Sequence, residues 1–116
     1  MKLLSILTPQ QSSNVSASSG AVLWGYQVPG GVKAILKKFG NEIDNAGAWG
    51  SIGWYIRKNI LAICDDIWDQ VGLITDPKEI EPIEFEGGTY LQIKARNEYG
   101  SSVKIGFSAY IELWGD

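Results

Sequence analysis

Every odd position from Val103 to Leu113 is apolar (Val103, Ile105, Phe107, Ala109, Ile111, Leu113), while Lys104, Gly106, Ser108, Tyr110 and Glu112 fill the even ones. A period of two marks a strand with one face buried and one face wet. Leu91, Ile93 and Ala95 alternate in the same way with Gln92, Lys94 and Arg96, and Ile52, Trp54 and Ile56 with Gly53, Tyr55 and Arg57. Together these positions predict a core of Ile52, Trp54, Ile56, Leu91, Ile93, Ile105, Phe107, Ile111 and Leu113. Gly87-Gly88 offers the positive φ angles of a tight hairpin turn before Leu91, and Asn97 to Ser101 makes a second turn before Val103.

The rest of the chain reads less regularly. Ala21 to Val28 is apolar at most positions, as in a strand covered on both faces, and Pro29-Gly30-Gly31 stops it. Val32 to Phe39 is read as a strand between glycine-rich flanks, and Gly40 to Gly50 as a polar loop. Ile60 to Gly72 fits a helical stripe about as well as a strand plus loop, with Asp65-Asp66 favouring a break. Pro77 and Pro82 exclude a central strand, so Leu73 to Ile83 is read as an extended connection. At the N-terminus a short apolar segment (Leu3, Leu4, Ile6, Leu7) precedes a Ser-, Gln- and Asn-rich stretch from Thr8. This is either an arm that docks on a neighbour or the first strand of the domain with a long loop after it. Strands at short intervals with glycine-rich turns and no long helix predict an all-β protein. The expectation is a single β-sandwich of jelly-roll type over 21–116, with an extended N-terminal arm over 1–20.

With 116 residues the chain is the size of one domain, and its formal net charge of −3 provides no positive field for nucleic acid. The single cysteine, Cys64, cannot close an internal disulfide, and its apolar neighbours suggest a buried thiol. The apolar run after Met1-Lys2 is shorter than a signal peptide requires, and no stretch is long enough to span a membrane.

Histidine is absent, which removes the commonest general base, the Ser-His and Cys-His pairs and most zinc sites. Asp65, Asp66, Asp69, Asp76 and Glu79 crowd one connection, but a glycosidase holds its two carboxylates on separate strands, and no calcium-loop spacing is present. No GxGxxG or GxxxxGK loop occurs, so no nucleotide cofactor, and no other cofactor or metal, is expected. The expectation is a protein that is not an enzyme. Five tryptophans invite a sugar-stacking platform. Trp24, Trp49 and Trp54 are better read as core, whereas Trp68 and Trp114 suit a contact surface.

Val28-Pro29-Gly30-Gly31, Phe39-Gly40-Asn41, Trp49-Gly50, Trp54 to Asn59, Trp68-Asp69-Gln70-Val71-Gly72 and Pro82-Ile83-Glu84 with Gly87-Gly88 resemble the small jelly-roll head decoration (cement) proteins of tailed bacteriophages. The resemblance covers most of the chain from Trp24 onward and is one of sequence style. It departs at the apolar Ile60 to Ile63, where a glycine and proline turn would be expected. It implies a virion structural protein on the capsid surface, made in the host cytoplasm. Its partner would be the major capsid protein, and its own state a homotrimer or a dimer, with no nucleic-acid or membrane partner. The interface residues expected are Leu3, Leu4, Ile6 and Leu7 of the arm with Trp68, Tyr110 and Trp114. The alternative is a carbohydrate- or receptor-binding β-sandwich module of a phage fibre or secreted enzyme.

Overall fold

The computed structural model covers residues 1–116. Its strands are β1 (Lys2–Leu7), β2 (Gln10–Val15), β3 (Ser19–Gln27), β4 (Lys33–Ile43), β5 (Ile52–Lys58), β6 (Ala62–Ile67), β7 (Lys78–Phe85), β8 (Tyr90–Asn97) and β9 (Val103–Gly115), with one 3-10 turn at Ala46–Ala48. They form two antiparallel sheets packed as a sandwich. One has the order β1-β9-β4-β7, with β2 continuing the β1 edge along β9, and the other has the order β3-β8-β5-β6. β9 is the spine. On one side Val103 to Ser108 pairs with β2 and Ile111 to Gly115 with β1, and on the other Ile105 to Trp114 pairs with β4.

The alternation read in β5, β8 and β9 is what closes the core. Of the nine positions predicted, eight are fully buried and Leu113 nearly so. Phe107 stacks on Phe39 with centroids 6.1 Å apart and lies 6.4 Å from Trp24. Trp54 Nε1 crosses the sandwich to donate to Gly106 O at 3.1 Å, which satisfies the one polar atom of the largest core side chain.

Several expectations are corrected. Residues 1–20 are not an arm. β1 and β2 are laid along β9 in antiparallel register, with a bulge at Leu4 and a break at Thr8-Pro9, where Pro9 O accepts from Ala109 N at 3.1 Å. Backbone hydrogen bonding holds this polar stretch, and Val15 anchors it in the core at 2 % exposure. Ala21 to Val28 is not covered on both faces, because β3 is an edge strand with Val22 exposed. Cys64 is exposed on the other edge strand of that sheet, β6. Ile60 to Gly72 is a strand and loop with no helix, and the connection carrying Pro82 is itself edge strand β7, where a missing N–H is tolerated. Gly87-Gly88 and Asn97 to Ser101 do turn the chain, but each passes it from one sheet to the other, so neither closes a hairpin of paired strands.

Two buried asparagines tie the loops. Asn97 Nδ2 donates to Val15 O (2.9 Å) and Ser101 O (3.0 Å), while its Oδ1 accepts from Tyr99 N (2.8 Å), joining β2, β8 and the turn into β9. At β4, Asn41 Nδ2 donates to Asp69 O and its Oδ1 accepts from Val71 N, both at 2.9 Å, so the segment after β6 is held against the sheet. The chain termini, the turn at 28–32, the β5–β6 turn and the turn at 86–89 share one end of the sandwich. Val28 N donates to Thr89 O, Gly88 N to Val28 O and Asn59 N to Tyr90 O, and Gly115 lies beside Gly31.

Candidate interaction surface

The register places Leu3, Trp114 and Lys33 in one row across β1, β9 and β4, and Ile6, Glu112 and Ile35 in another. Directly opposed residues point to the same side of a sheet, so Leu3, Ile6, Tyr110 and Trp114 share the outer face. Four of the seven predicted interface residues therefore come together, and Leu4 lies beside them. It occupies a bulge, where a Cβ added at Gly115 would meet Leu4 Cδ1 at 2.8 Å. Leu3, Leu4 and Ile6 are exposed, as is Met1. Leu7 is not part of this face: it pairs with Ile111 and packs against the core. Polar contacts fix the rings. Trp114 Nε1 donates to Glu112 Oε1 at 3.1 Å, Lys37 Nζ lies 3.4 Å from the same oxygen, and Lys38 Nζ sits 5.3 Å from the Tyr110 ring centre. Between Tyr110 and β7 the surface dips into a shallow depression of about 440 Å³, lined by Lys37, Lys38, Glu79, Ile80, Pro82, Tyr110 and Glu112.

The second apolar feature is the β5–β6 turn. This hairpin stays within one sheet, and its turn carries positive φ at Asn59 (55°) and Ile60 (70°). Two consecutive left-handed residues are the geometry for which Asn-Gly is the usual solution. Asn59 fits: its Oδ1 accepts from Tyr90 N at 2.9 Å and its own N donates to Tyr90 O at 2.8 Å, tying the turn to β8. Ile60 does not fit, since a β-branched residue in this region crowds its own backbone. Ile60, Leu61 (86 % exposed) and Ile63 all face water. The sequence did flag this turn as the place where apolar residues replace the glycine expected.

Trp68 lies apart from these residues, on the outer face of the other sheet. Its ring covers bare Gly53, meets Tyr55 edge-on at 6.0 Å, and Nε1 donates to Asp66 Oδ2 at 3.3 Å. Nearby, Gln92 is 6 % exposed with Oε1 unpartnered, and it pairs across the ladder with Arg57, whose Nε is also buried and unpartnered. Two groups are shifted in their titration, and both are exposed. The hydrogen bond and charge of Lys78 hold the Asp76 carboxyl below its ordinary value, and those of Glu98 hold the Arg96 guanidinium above its own. The acidic residues Asp65 and Glu81 flank a groove between edge strands β6 and β7, beside Cys64.

No protein-family model matches the chain, and no curated protein matches it. Of the nine exposed large hydrophobic side chains, seven (Met1, Leu3, Leu4, Ile6, Ile60, Leu61, Ile63) belong to β1 with its preceding residue or to the β5–β6 hairpin, at or next to the end that carries the termini. That asymmetry makes this end, rather than a cleft, the candidate surface.

Proposed function

We propose that the protein is a jelly-roll head decoration protein, a virion structural component that sits on the outside of a phage head and reinforces contacts between major capsid subunits. The observation that carries this reading is the β5–β6 tip, where a strained Ile60 holds Leu61 out into water. Strain and exposed apolar area both cost stability in the free protein, and a site that keeps both has a use for them in a contact. The strand orders β1/β2-β9-β4-β7 and β3-β8-β5-β6, with the chain passing repeatedly between sheets, support the jelly-roll assignment. The sequence resemblance suggests the partner, and the exposed apolar tip supports a contact at this end of the molecule. In this role the protein has no catalytic step to perform, and its binding energy comes from apolar area covered at the interface.

The test uses phage heads assembled from the major capsid protein of the genome that carries this chain, sedimented with purified wild type, Leu61→Asp and, as a control at the opposite end, Leu73→Asp. The expected result is that wild type and Leu73→Asp sediment with heads and Leu61→Asp stays in the supernatant. Equal sedimentation of all three would refute the tip as the contact, and failure of wild type to bind would refute decoration.

A second reading, a glycan-binding face, is favoured by one specific feature: Tyr55, Trp68 and Tyr90 share the outer face of the β8 sheet with the unpartnered Gln92 and Arg57 atoms. Glycan-array binding that is lost in Gln92→Ala and retained in Leu61→Asp would favour it over decoration.

A further inference from the structure

The sandwich has four edge strands, and their charges divide them sharply. On one lateral side, β6 carries Asp65 and Asp66, and β7 carries Lys78, Glu79, Glu81 and Glu84 with Pro82 among them. Charges, proline and bulges on an edge are devices that stop it from pairing with another chain, and of these β1 from Leu3 onward carries only the bulge at Leu4. The other lateral side is made by β1/β2 and β3, and from Leu3 to Val32 the sequence contains no charged residue. The chain has 10 basic and 13 acidic residues, 23 in all, so once Lys2 is set aside 22 fall after Val32. No strand pairs with the far side of β1, and Leu3, Leu4 and Ile6 are exposed along it. Pro9 interrupts the edge only beyond the end of β1.

We infer that this uncharged edge pairs with the same edge of a second copy of the chain, β1 against β1 in antiparallel fashion about a two-fold axis. The occupant follows from charge and from sequence symmetry. An isologous contact sets the same strand against itself, residue i against j and j against i, so an edge bearing net charge repels itself, as β7 would, while an uncharged one does not. In the register that sets Leu3 opposite the partner's Ile6, Leu4 falls opposite the partner's Ser5, and the β1 sequence is complementary to itself. Leu3 and Ile6 already share the outer face with Trp114, so this register gathers four aliphatic side chains into one patch beside both indoles. The result is one continuous antiparallel sheet running through both copies. The inference goes beyond decoration: pairing is read on purified protein with no heads present, so either property can fail while the other stands.

The test is the mass of the purified full-length protein by sedimentation equilibrium, for wild type and two double variants at exposed positions. Leu3→Glu/Ile6→Glu sets like charges opposite each other twice, whereas Leu3→Lys/Ile6→Glu sets opposite charges face to face in this register only. Near-ultraviolet circular dichroism reports that both remain folded. Wild type is expected to be a dimer, the Glu/Glu variant to dissociate about tenfold or more readily, and the Lys/Glu variant to stay dimeric at low salt and weaken as salt is raised. A monomeric or trimeric wild type would overturn the inference. So would a Glu/Glu variant that associates like wild type, or Lys/Glu and Glu/Glu variants that dissociate alike.

Discussion

At position 60 the usual ranking of alanine over glycine should reverse. Ile60 sits at φ 70° and is about half exposed. Replacing it by Ala or by Gly forfeits the buried half of the side chain almost equally, so the difference between the two variants isolates the backbone. A side chain in the left-handed region costs about 1–2 kcal/mol that glycine does not incur. Glycine in turn gives the unfolded chain more freedom, worth about 0.4–1 kcal/mol against it. The difference leaves Ile60→Gly more stable than Ile60→Ala by about 0.5–1 kcal/mol, where an ordinary strand or turn position would give the opposite sign. Urea unfolding followed by tryptophan fluorescence resolves this: with a slope of roughly 1–3 kcal/mol per molar, the midpoints should differ by roughly 0.2–1 M. An Ile60→Ala midpoint equal to or above that of Ile60→Gly would show that the turn is not held in the left-handed conformation, and would remove the argument that strain is retained there for a contact. Both variants should bind heads less well than wild type, because both shorten the apolar tip.

Phe107→Ala should lower stability by about 3–5 kcal/mol, measured in the same unfolding experiment, because the ring is fully buried between Phe39 and Trp24. A loss below 1 kcal/mol would contradict its place in the core. Asn97→Ala strips partners from Val15 O, Ser101 O and Tyr99 N together and should cost about 3 kcal/mol or more. Asn97→Asp should not restore it, since a carboxylate cannot donate to the two carbonyls. Removal of residues 1–15 should abolish cooperative unfolding rather than leave a folded sandwich, because it bares one whole side of β9 and removes Val15 and Leu7 from the core. A truncated protein with a native near-ultraviolet spectrum would contradict this.

The all-β class and the centre of the core were legible because β5, β8 and β9 each bury one face, and burial of one face is what writes a period of two into a sequence. The same pattern is silent about which sheet a strand joins. Gly87-Gly88 looks alike whether it closes a hairpin or carries the chain from β7 in one sheet to β8 in the other. Between the two expectations for the N-terminus, arm or first strand, the residues themselves could not decide, for a related reason. β2 is held by backbone hydrogen bonds to a neighbour longer than β1, so its side chains can be Gln, Ser and Asn, and only Val15 betrays the strand. Asn41 and Asn97 were invisible as structural residues because their partners are carbonyls and amides brought in from loops up to 82 positions away. Of the residues expected at a contact surface, Leu3, Ile6, Tyr110 and Trp114 share a face, while Leu7 turns inward and Trp68 lies on the other sheet. What marks the β5–β6 tip in the sequence is a conflict. Lys58-Asn59-Ile60-Leu61 stands where the local rule asks for Asn-Gly, and the chain follows the turn geometry while breaking its residue preference. A fold selected for stability alone removes such a conflict with one substitution, so its presence beside Leu61 directs attention to what that end of the molecule touches.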